Sequence, residues 1–407
     1  MMRYLFSIMI ALALFACDTK DSVTERYRHY FIKYYGEDGN QEGIDFEMVD
    51  DGFLVLGNNV TNGTVFIAKT DQLGNELWHK EYGTGIETAV EMVIGASGEY
   101  VIVGNLAVSE ADVDIFVWKI DDNGEILNSQ TFGLEASDDV VNPDSVTIER
   151  AVKVVNVSDG GFVISGFTNS VATEDADDLY DIFTIKYDNN LQRLVTWKNI
   201  YGWDGVDEGV QALETENGYV FFGTTDHKPT SNTPQALSNM YLFPTNWVGD
   251  QTSDFPLQLY GTTNVESAAD IISLRGGGYA MVGTSYPGVD DKRIYVARIS
   301  SNTDRLFEKT LEEVPNVEAK SILESSNGDL LVLGTCIADN HDDIALIKLK
   351  SDGSFLWSKS FGGDDDDKGG VVKEISDGSI VFVGTVELGI QTKVCLIKVT
   401  EKGEFKL

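Results

Sequence analysis

Histidine and cysteine are scarce in this chain, and the motifs of common enzyme families are missing. The four histidines are widely separated, and the three cysteines include no Cys-x-x-Cys pair. A histidine-based metal site or catalytic triad is therefore not indicated. The metalloprotease motif HExxH, the hydrolase motif GxSxG and phosphate-binding loops are also absent. We expect a protein that is not an enzyme, although a glycosidase built from two distant carboxylates stays open.

Basic residues are also few, since 30 Lys and Arg stand against 66 Asp and Glu, a formal net charge of −36. This charge repels the phosphates of nucleic acids and anionic headgroups, so neither is an expected partner. A solvated acidic surface is the favoured interpretation, and weak cation binding is the alternative. Proline is rare as well, with 7 residues against 40 glycines, which is typical of short strands joined by tight turns.

The N-terminal segment is apolar but short. Arg3 precedes an apolar run over residues 5–15, which is too short to span a bilayer because a helix needs about 20 apolar residues. Ala16 and Cys17 follow and resemble a bacterial lipobox, in which the cysteine thiol receives a diacylglyceryl group. The resemblance implies a signal peptide over 1–16, an acylated tether over 17–28 and a membrane anchor at Cys17. An ordinary signal peptide is the alternative.

A glycine turn, a short apolar strand and a closing glycine occur seven times in the rest of the chain. The spacing of about 50 residues is that of one four-stranded propeller blade. The closing glycines are Gly57, Gly104, Gly166, Gly223, Gly283, Gly334 and Gly384.

Each copy carries further strand motifs. An Asp-x-x-x-x-Lys strand begins at Asp114, Asp181 and Asp343, and hairpin turns with glycine follow it. A last strand ends in an aromatic residue and glycine, as at Tyr82. The seventh copy lacks this last strand, but residues 30–36 match it at the other end of the chain. We therefore predict that the N-terminal strand completes the last blade and closes the ring.

These motifs resemble the glycine-rich β-propeller repeats of surface and secreted proteins in Bacteroidota-type bacteria, which share their architecture with kelch-like propellers. The resemblance runs from about residue 30 to the C-terminus. It implies an all-β fold, a seven-bladed β-propeller of four-stranded blades over residues 29–407. It implies little about function, because propellers serve as lectins, lyases, quinoproteins and scaffolds. Asp18 and Asp21 also resemble the acidic tethers of outer-membrane surface lipoproteins, so we expect that location, with the periplasmic orientation left open.

An acidic residue recurs just before the first strand of each copy. A carboxylate ring of this kind would suit a hard cation. The favoured interpretation is structural, with each acid accepting backbone N–H groups of its own turn. The residues are Glu42, Glu87, Glu149, Asp207, Glu266, Glu318 and Asp367.

Two further acidic runs are weak candidates for calcium. Asp364, Asp365, Asp366 and Asp367 lie together but lack the glycine and the twelfth-position glutamate of an EF-hand. The run from Asp175 to Asp181 is weaker still. No other cofactor is expected.

The fourth copy departs most from the repeat. Residues 224–259 lack the Asp-x-x-x-x-Lys motif and contain Tyr241, Phe243 and Trp247. Exposed aromatic residues on a long loop are typical binding anchors, so these three are the candidate partner-binding residues. The alternative is that they pack on their own loop. A second insertion covers residues 134–148.

Together these features predict a lipid-anchored, non-catalytic scaffold that binds an envelope protein or complex. A carbohydrate-binding propeller is the first alternative, and it would expose aromatic side chains at several equivalent loops. A glycan-active or quinone-dependent enzyme is the second. Cys336 and Cys395 lie in apolar strands, and free thiols are favoured over a disulfide.

Overall fold

The structure is a computed structural model. It describes residues 30–133, 147–169, 180–197, 200–203, 205–227, 238–252, 257–288, 291–338 and 341–405. Within these residues the chain forms seven antiparallel sheets of four strands each and no helix. The predicted all-β, seven-bladed propeller is therefore confirmed.

The blades follow one another along the chain, and each is numbered from its innermost strand outward. Blade 1 contains β2 (Gln41–Val49), β3 (Gly52–Asn59), β4 (Thr64–Asp71) and β5 (Glu76–Tyr82). Blade 2 contains β6 (Glu87–Ile94), β7 (Tyr100–Ala107), β8 (Val113–Ile120) and β9 (Ile126–Phe132). Blade 3 contains β10 (Glu149–Asn156), β11 (Phe162–Thr168), β12 (Asp181–Tyr187) and β13 (Ile200–Tyr201).

Blade 4 contains β14 (Asp207–Thr215), β15 (Gly218–Thr225), β16 (Asn239–Thr245) and β17 (Gln258–Tyr260). Blade 5 contains β18 (Val265–Ser273), β19 (Tyr279–Gly288), β20 (Asp291–Ile299) and β21 (Arg305–Pro315). Blade 6 contains β22 (Val317–Glu324), β23 (Leu330–Ala338), β24 (His341–Leu349) and β25 (Phe355–Phe361). Blade 7 contains β26 (Lys368–Glu374), β27 (Ile380–Leu388), β28 (Gln391–Val399) and, outermost, β1 (Phe31–Tyr35).

The second and third strands of each blade form the core. All eight residues of β3 are buried, because both faces of the strand pack against neighbouring sheets. This explains the continuous apolar runs in the sequence, since a strand covered on both faces has no polar side. The apolar clusters between the blades join side chains of adjacent sheets, as Leu56 of blade 1 joins Ile102 of blade 2.

The N-terminal strand closes the ring, as predicted. β1 pairs with β28 in antiparallel register, from Phe31 opposite Lys398 to Tyr35 opposite Val394. Phe31 and Tyr35 are buried, and the Phe31 ring meets Phe53 of blade 1 edge-on at 6.3 Å. The strand thus covers an edge of blade 7 and contacts the first blade.

In four blades the tyrosine of the aromatic-glycine motif ties the blade to the next one. Tyr35 donates its hydroxyl hydrogen bond to the Gly74 carbonyl at 2.8 Å, and Tyr82 donates to Gly124 at 2.6 Å. Tyr201 and Tyr260 make the same bond to the hairpins of the blades that follow them. The motif therefore locks neighbouring blades together.

A second link comes from the residue after the closing glycine. Asn58 accepts the Ala89 N–H at 2.8 Å, and Asn105 accepts the Ala151 N–H at 2.8 Å. Threonine hydroxyls take the same role in four other blades: Thr224, Thr284, Thr335 and Thr385. Each bond joins a second strand to the innermost strand of the next blade.

The two faces of the propeller differ in their connections. The upper face, as we call it, carries the hairpins between second and third strands and the crossings between blades. The lower face carries the other hairpins. β1 runs from the lower to the upper face, because it is antiparallel to β28, which descends from an upper hairpin.

Cys336 and Cys395 are both free thiols, and burial raises the pKa of both.

Candidate functional sites on the upper face and in the channel

The recurrent acids bind the backbone of their own connections. Glu87 accepts the N–H groups of Thr84, Gly85 and Ile86 at 2.7, 3.1 and 3.0 Å. Burial opposes its charge, but these bonds outweigh burial and lower the pKa of Glu87. Asp367 likewise accepts the N–H groups of Gly363 and Glu387 at 2.9 Å. These bonds favour the structural role over a cation site.

In two connections the glycine of the aromatic-glycine motif packs closely against the same acid. A Cβ at Gly83 would lie 2.7 Å from a Glu87 carboxylate oxygen, and Gly83 has a φ of +111°. At Gly261 a Cβ would lie 2.6 Å from a Glu266 oxygen. In these connections the aromatic-glycine motif is thus paired with the acid a few residues later.

Two members of the predicted ring do not belong to it. The positions equivalent to Glu87 in blades 1 and 6 are Gln41 and Val317, each two residues before the strand residue that precedes the β-bulge. Gln41 is buried, whereas Glu42 is exposed. Glu318 instead binds two lysines, Lys292 and Lys320. The ring of seven carboxylates is therefore incomplete.

Burial raises the pKa of Asp207 and Glu266, two of the recurrent acids. Asp207 is fully buried, and burial raises its pKa to about 7, although Thr225 and the Trp203 N–H oppose this shift. Burial also raises the pKa of Glu266, whose Oε1 accepts bonds from Thr262 and Ser285. Both carboxyls face their own blade, so they do not form a shared acid pair.

The lysines near the ends of the third strands are also structural in five blades. Each is largely buried and reaches an acidic residue in a lower hairpin. The pairs are Lys69 with Asp51 and Asp122, Lys119 with Glu99, Lys186 with Asp159, Lys348 with Asp329 and Lys398 with Asp377.

The innermost strands surround the central channel of the propeller, and in blades 1 to 6 each of them contains a β-bulge. A second ring of polar side chains lies on these strands, at the residue directly after each bulge. In five blades this side chain accepts an N–H of the next innermost strand: Asp45 from Met92, Glu91 from Val154, Gln211 from Ile271, Asp270 from Ile322 and Ser321 from Val372. The bonds link the innermost strands of successive blades.

Lys153 occupies this position in blade 3 and breaks the pattern, because an ammonium group cannot accept a hydrogen bond. Its Nζ reaches past blade 4 to Asp270 of blade 5 at 2.9 Å, and it lies 3.7 Å from Glu91 of blade 2. Burial alone would lower its pKa, but the two carboxylates outweigh burial and raise it. Burial raises the pKa of Glu91 to about 7, against the pull of Lys153.

Lys373 makes a similar cluster between blades 7 and 1. Its Nζ lies 3.0 Å from Glu47 and 3.5 Å from Asp45, and it donates to the Phe46 carbonyl. The channel wall thus holds two ammonium groups among four carboxylates, namely Asp45, Glu47, Glu91 and Asp270. Neither cluster is predicted by the motifs of the sequence or their spacing.

The structure corrects the interpretation of the fourth copy. Its third strand is present as β16, with Asn239 opposite Thr225 and with Pro244 where five other blades have lysine and blade 5 has Arg298. Tyr241 is 0% and Phe243 2% exposed, because both point into the cluster between blades 3 and 4. Neither can be an exposed binding anchor.

Trp247 differs from these two. It lies in the lower hairpin after β16, is 47% exposed and meets the Tyr219 ring edge-on at 5.6 Å. Among the described residues, Tyr34 is the other aromatic side chain exposed to this extent, and it lies on an outer strand. These two positions are not equivalent loops, which the carbohydrate-binding alternative would require.

The acidic run at 364–367 binds backbone groups as well. Asp366 accepts the Asp342 N–H at 3.0 Å, and Asp365 accepts the Gly389 N–H at 3.3 Å. In the described part of the chain no group of three or more acidic, histidine or cysteine side chains is placed to hold a metal ion. Cys17, residues 175–178 and residues 134–146 of the second insertion lie outside the described residues.

Aliphatic side chains are exposed at the upper hairpins of four consecutive blades. We call this set the aliphatic arc: Ile337 of blade 6, Leu388 and Ile390 of blade 7, Val60 of blade 1 and Val108 of blade 2. Ile390 is 92% exposed, and the others are about half exposed. Acidic residues flank the arc, including Glu37, Glu110 and Asp364. In the regions that the structure describes, no helix is long and apolar enough to cross a membrane.

Comparison with known proteins supports the fold. No family model matches the chain, and no curated protein matches it either. Among solved structures, the polysaccharide lyase Uly1 has a TM-score of 0.53 and 10% identity over 90% of this chain and 91% of its own.

Two other solved structures share less of the geometry. A protein of unknown function from Dyadobacter fermentans has a TM-score of 0.48 and 10% identity, covering 78% of this chain and 96% of its own. A gluconolactonase from Xanthomonas campestris has a TM-score of 0.41 and 9% identity, covering 94% and 95%. At these identities the likeness concerns the propeller fold alone.

Proposed function

We propose that this chain is a non-catalytic scaffold, anchored by lipid in the bacterial outer membrane, that binds a neighbouring envelope protein through its upper face. The observation that carries the proposal is the aliphatic arc. Single exposed aliphatic residues are common on any surface, but here they occupy the upper hairpins of four consecutive blades. A rigid ring that presents such side chains side by side is suited to a partner with an apolar contact strip.

The direction of β1 supports the choice of face. The described chain begins at Tyr30, which lies beside the lower hairpins around Asp377 and Thr400. A lipid anchor at Cys17 would therefore lead away from the lower face. The upper face would then point away from the membrane, where an envelope partner can reach it.

The charge of the upper face limits the kind of protein that can bind there. Exposed acidic residues lie in the same upper connections as the arc, three lysines lie near Ile337 at its blade 6 end, and the whole chain carries a formal net charge of −36. A partner with a basic rim around its apolar strip would be attracted, and an acidic one would be repelled. The proposed partner is therefore an envelope protein with a basic, partly apolar contact surface.

The aliphatic arc can be tested with paired charge substitutions. Val60→Asp combined with Ile390→Asp should reduce recovery of the partner from detergent-solubilised membranes at least about tenfold, because two contacts become buried, unpaired charges. The control is Leu77→Asp with Leu127→Asp, two outer-strand residues that are 55% and 59% exposed. Equal recovery of the same proteins by both double variants would show that the arc is not the contact.

The anchor has its own test. Cys17→Ser should accumulate as an uncleaved precursor that incorporates no radiolabelled palmitate, because serine lacks the thiol that receives the lipid. The wild-type chain should incorporate the label and fractionate with the outer membrane. A wild-type chain without label would remove the lipid anchor from the proposal.

A further inference from the structure

A cavity of about 220 Å³ opens on the upper face between blades 5, 6 and 7. Three lysines line it, Lys292 of β20, Lys320 of β22 and Lys368 of β26. Two acidic residues, Glu318 and Asp342, line it as well. In a chain with more than twice as many acidic as basic residues, a cavity whose lining carries a surplus of positive charge is unusual.

Glu318 holds two of the ammonium groups in place. Its carboxylate lies 2.7 Å from the Lys292 Nζ and 2.5 Å from the Lys320 Nζ. Burial opposes the charge of Glu318, but the two lysines outweigh burial and lower its pKa to about 2. Each ammonium group has three N–H donors, so donors remain for a ligand after Glu318 is bound.

Other groups at the cavity are available to a ligand. The Lys368 side chain is exposed, and within the described part of the chain its ammonium group has no hydrogen-bond or ion-pair partner. Thr335 uses its hydroxyl oxygen to accept the Gly369 N–H at 3.1 Å, which leaves its O–H free to donate into the cavity. The cavity thus offers ammonium and hydroxyl donors from four strands in three blades.

The repeat changes at this cavity in two ways, and the first makes it more positive. The bulge residue is Lys320 in blade 6, whereas blades 1 to 5 have aliphatic residues there: Ile44, Val90, Val152, Val210 and Ala269. The recurrent acid of the connection is displaced by one residue in the same blade, where Val317 takes its place and Glu318 follows. The fold does not require Lys320, because blades 1 to 5 form the same strands without a lysine there.

The preceding connection is altered too. β21 of blade 5 continues to Pro315 without the aromatic-glycine pair, and Asn316 turns the chain with a φ of +58°. This extension brings Asn316 to the cavity wall. Changes in two neighbouring blades therefore converge on one place, as expected for a binding site on a repeat scaffold.

We infer that this cavity, the lysine pocket, binds the oxyanion group of a small anionic ligand. The lysine pocket adjoins the aliphatic arc, because Ile337 belongs to both. It differs in kind from the proposed protein contact, since it recognises a charge in a cavity and not an apolar strip. The volume admits a ligand about as large as a monosaccharide. Lys368 and the free donors of Lys292 and Lys320 contact the oxyanion, and Thr335 donates to a neighbouring oxygen.

The test is calorimetric titration of the purified chain with D-glucuronate, inorganic phosphate and D-glucose. Glucuronate and glucose have nearly the same shape and differ in charge, so glucuronate should bind and glucose should not. Phosphate binding without glucuronate binding would assign an inorganic oxyanion, and glucuronate binding would assign a carboxylate. Binding should weaken as salt is added, because the lysines are partly exposed.

Matched variants locate the site. Lys368→Gln and Lys320→Gln should each weaken binding about fivefold, the effect of removing one partly screened charge. Lys350→Gln removes the same charge from the lower face of blade 6 and should leave binding unchanged. The inference fails if neither anion binds at millimolar concentration, if glucose binds equally well, or if all three variants bind like the wild type.

Discussion

A chain that lacks residues 29–36 is expected to lose about 5 kcal/mol or more of folding free energy and to aggregate. Phe31 and Tyr35 leave the core, at about 1.5–3 kcal/mol for each buried side chain. The hydrogen bonds from β1 to β28 and from Tyr35 to Gly74 are lost as well. The deletion also exposes an edge of blade 7 that can pair with another molecule. Thermal unfolding and light scattering measure the two effects.

Two controls separate ring closure from a general effect of shortening the chain. Removal of residues 18–24, which lie before the described strand, should change the melting temperature little. A synthetic peptide with the sequence of residues 29–36 should restore stability to the deleted chain by adding the missing strand, and a scrambled peptide should not. Equal melting temperatures for the two truncations would contradict the role of β1.

The sequence allowed the fold to be predicted because propeller blades repeat their turn chemistry. Closing glycines, hairpin glycines and aromatic-glycine pairs marked the strand ends, and residues 30–36 supplied the strand that the last copy lacked. Those signals depend on local backbone geometry, which a single repeat shows by itself. The prediction of ring closure needed only a comparison of the two chain ends.

Links between blades were less visible in the sequence. The residue after the closing glycine is Asn or Thr in six copies, and it binds the next blade in each, as Asn58 binds Ala89. This regularity was present in the repeat alignment, but its meaning depends on which strands become neighbours. The interpretation of the fourth copy was wrong for a related reason. Tyr241 and Phe243 alternate with the periodicity of a strand, but the missing Asp-x-x-x-x-Lys motif concealed that strand.

The channel clusters could not be predicted from sequence spacing. Lys153 and Asp270 are 117 residues apart, and they meet because the ring brings blades 3 and 5 to one axis. A usable signal did exist, since Lys153 is a basic residue at a position that holds a hydrogen-bond acceptor in five blades. The lysine pocket had the same kind of signal at Lys320 and Val317. Departures from an aligned repeat were therefore more informative than the repeated residues.

Lys153→Met is expected to lower the folding free energy by about 3–5 kcal/mol, because it leaves two largely buried carboxylates, Glu91 and Asp270, without their counter-charge. For a domain of this size the change corresponds to a melting temperature lower by roughly 4–6 °C. Methionine keeps most of the side-chain volume, so the effect reports the charge and not a cavity. The double variant Lys153→Met with Asp270→Asn should be more stable than the single variant Lys153→Met, since it removes one buried carboxylate that has lost its counter-charge.

The pH dependence of the Lys153→Met variant gives a further check. Burial already raises the pKa of Glu91 to about 7, and loss of Lys153 raises it further. A carboxyl whose pKa is higher in the folded chain than in the unfolded chain binds more protons when folded, so stability falls as the pH rises above about 4.5. The difference in melting temperature between variant and wild type should therefore be smaller at pH 5 than at pH 8, because only the charge of Glu91 is lost at the lower pH. A difference that is equal at both pH values, together with a double variant no more stable than the single one, would mean that Lys153 acts through packing and not through its charge.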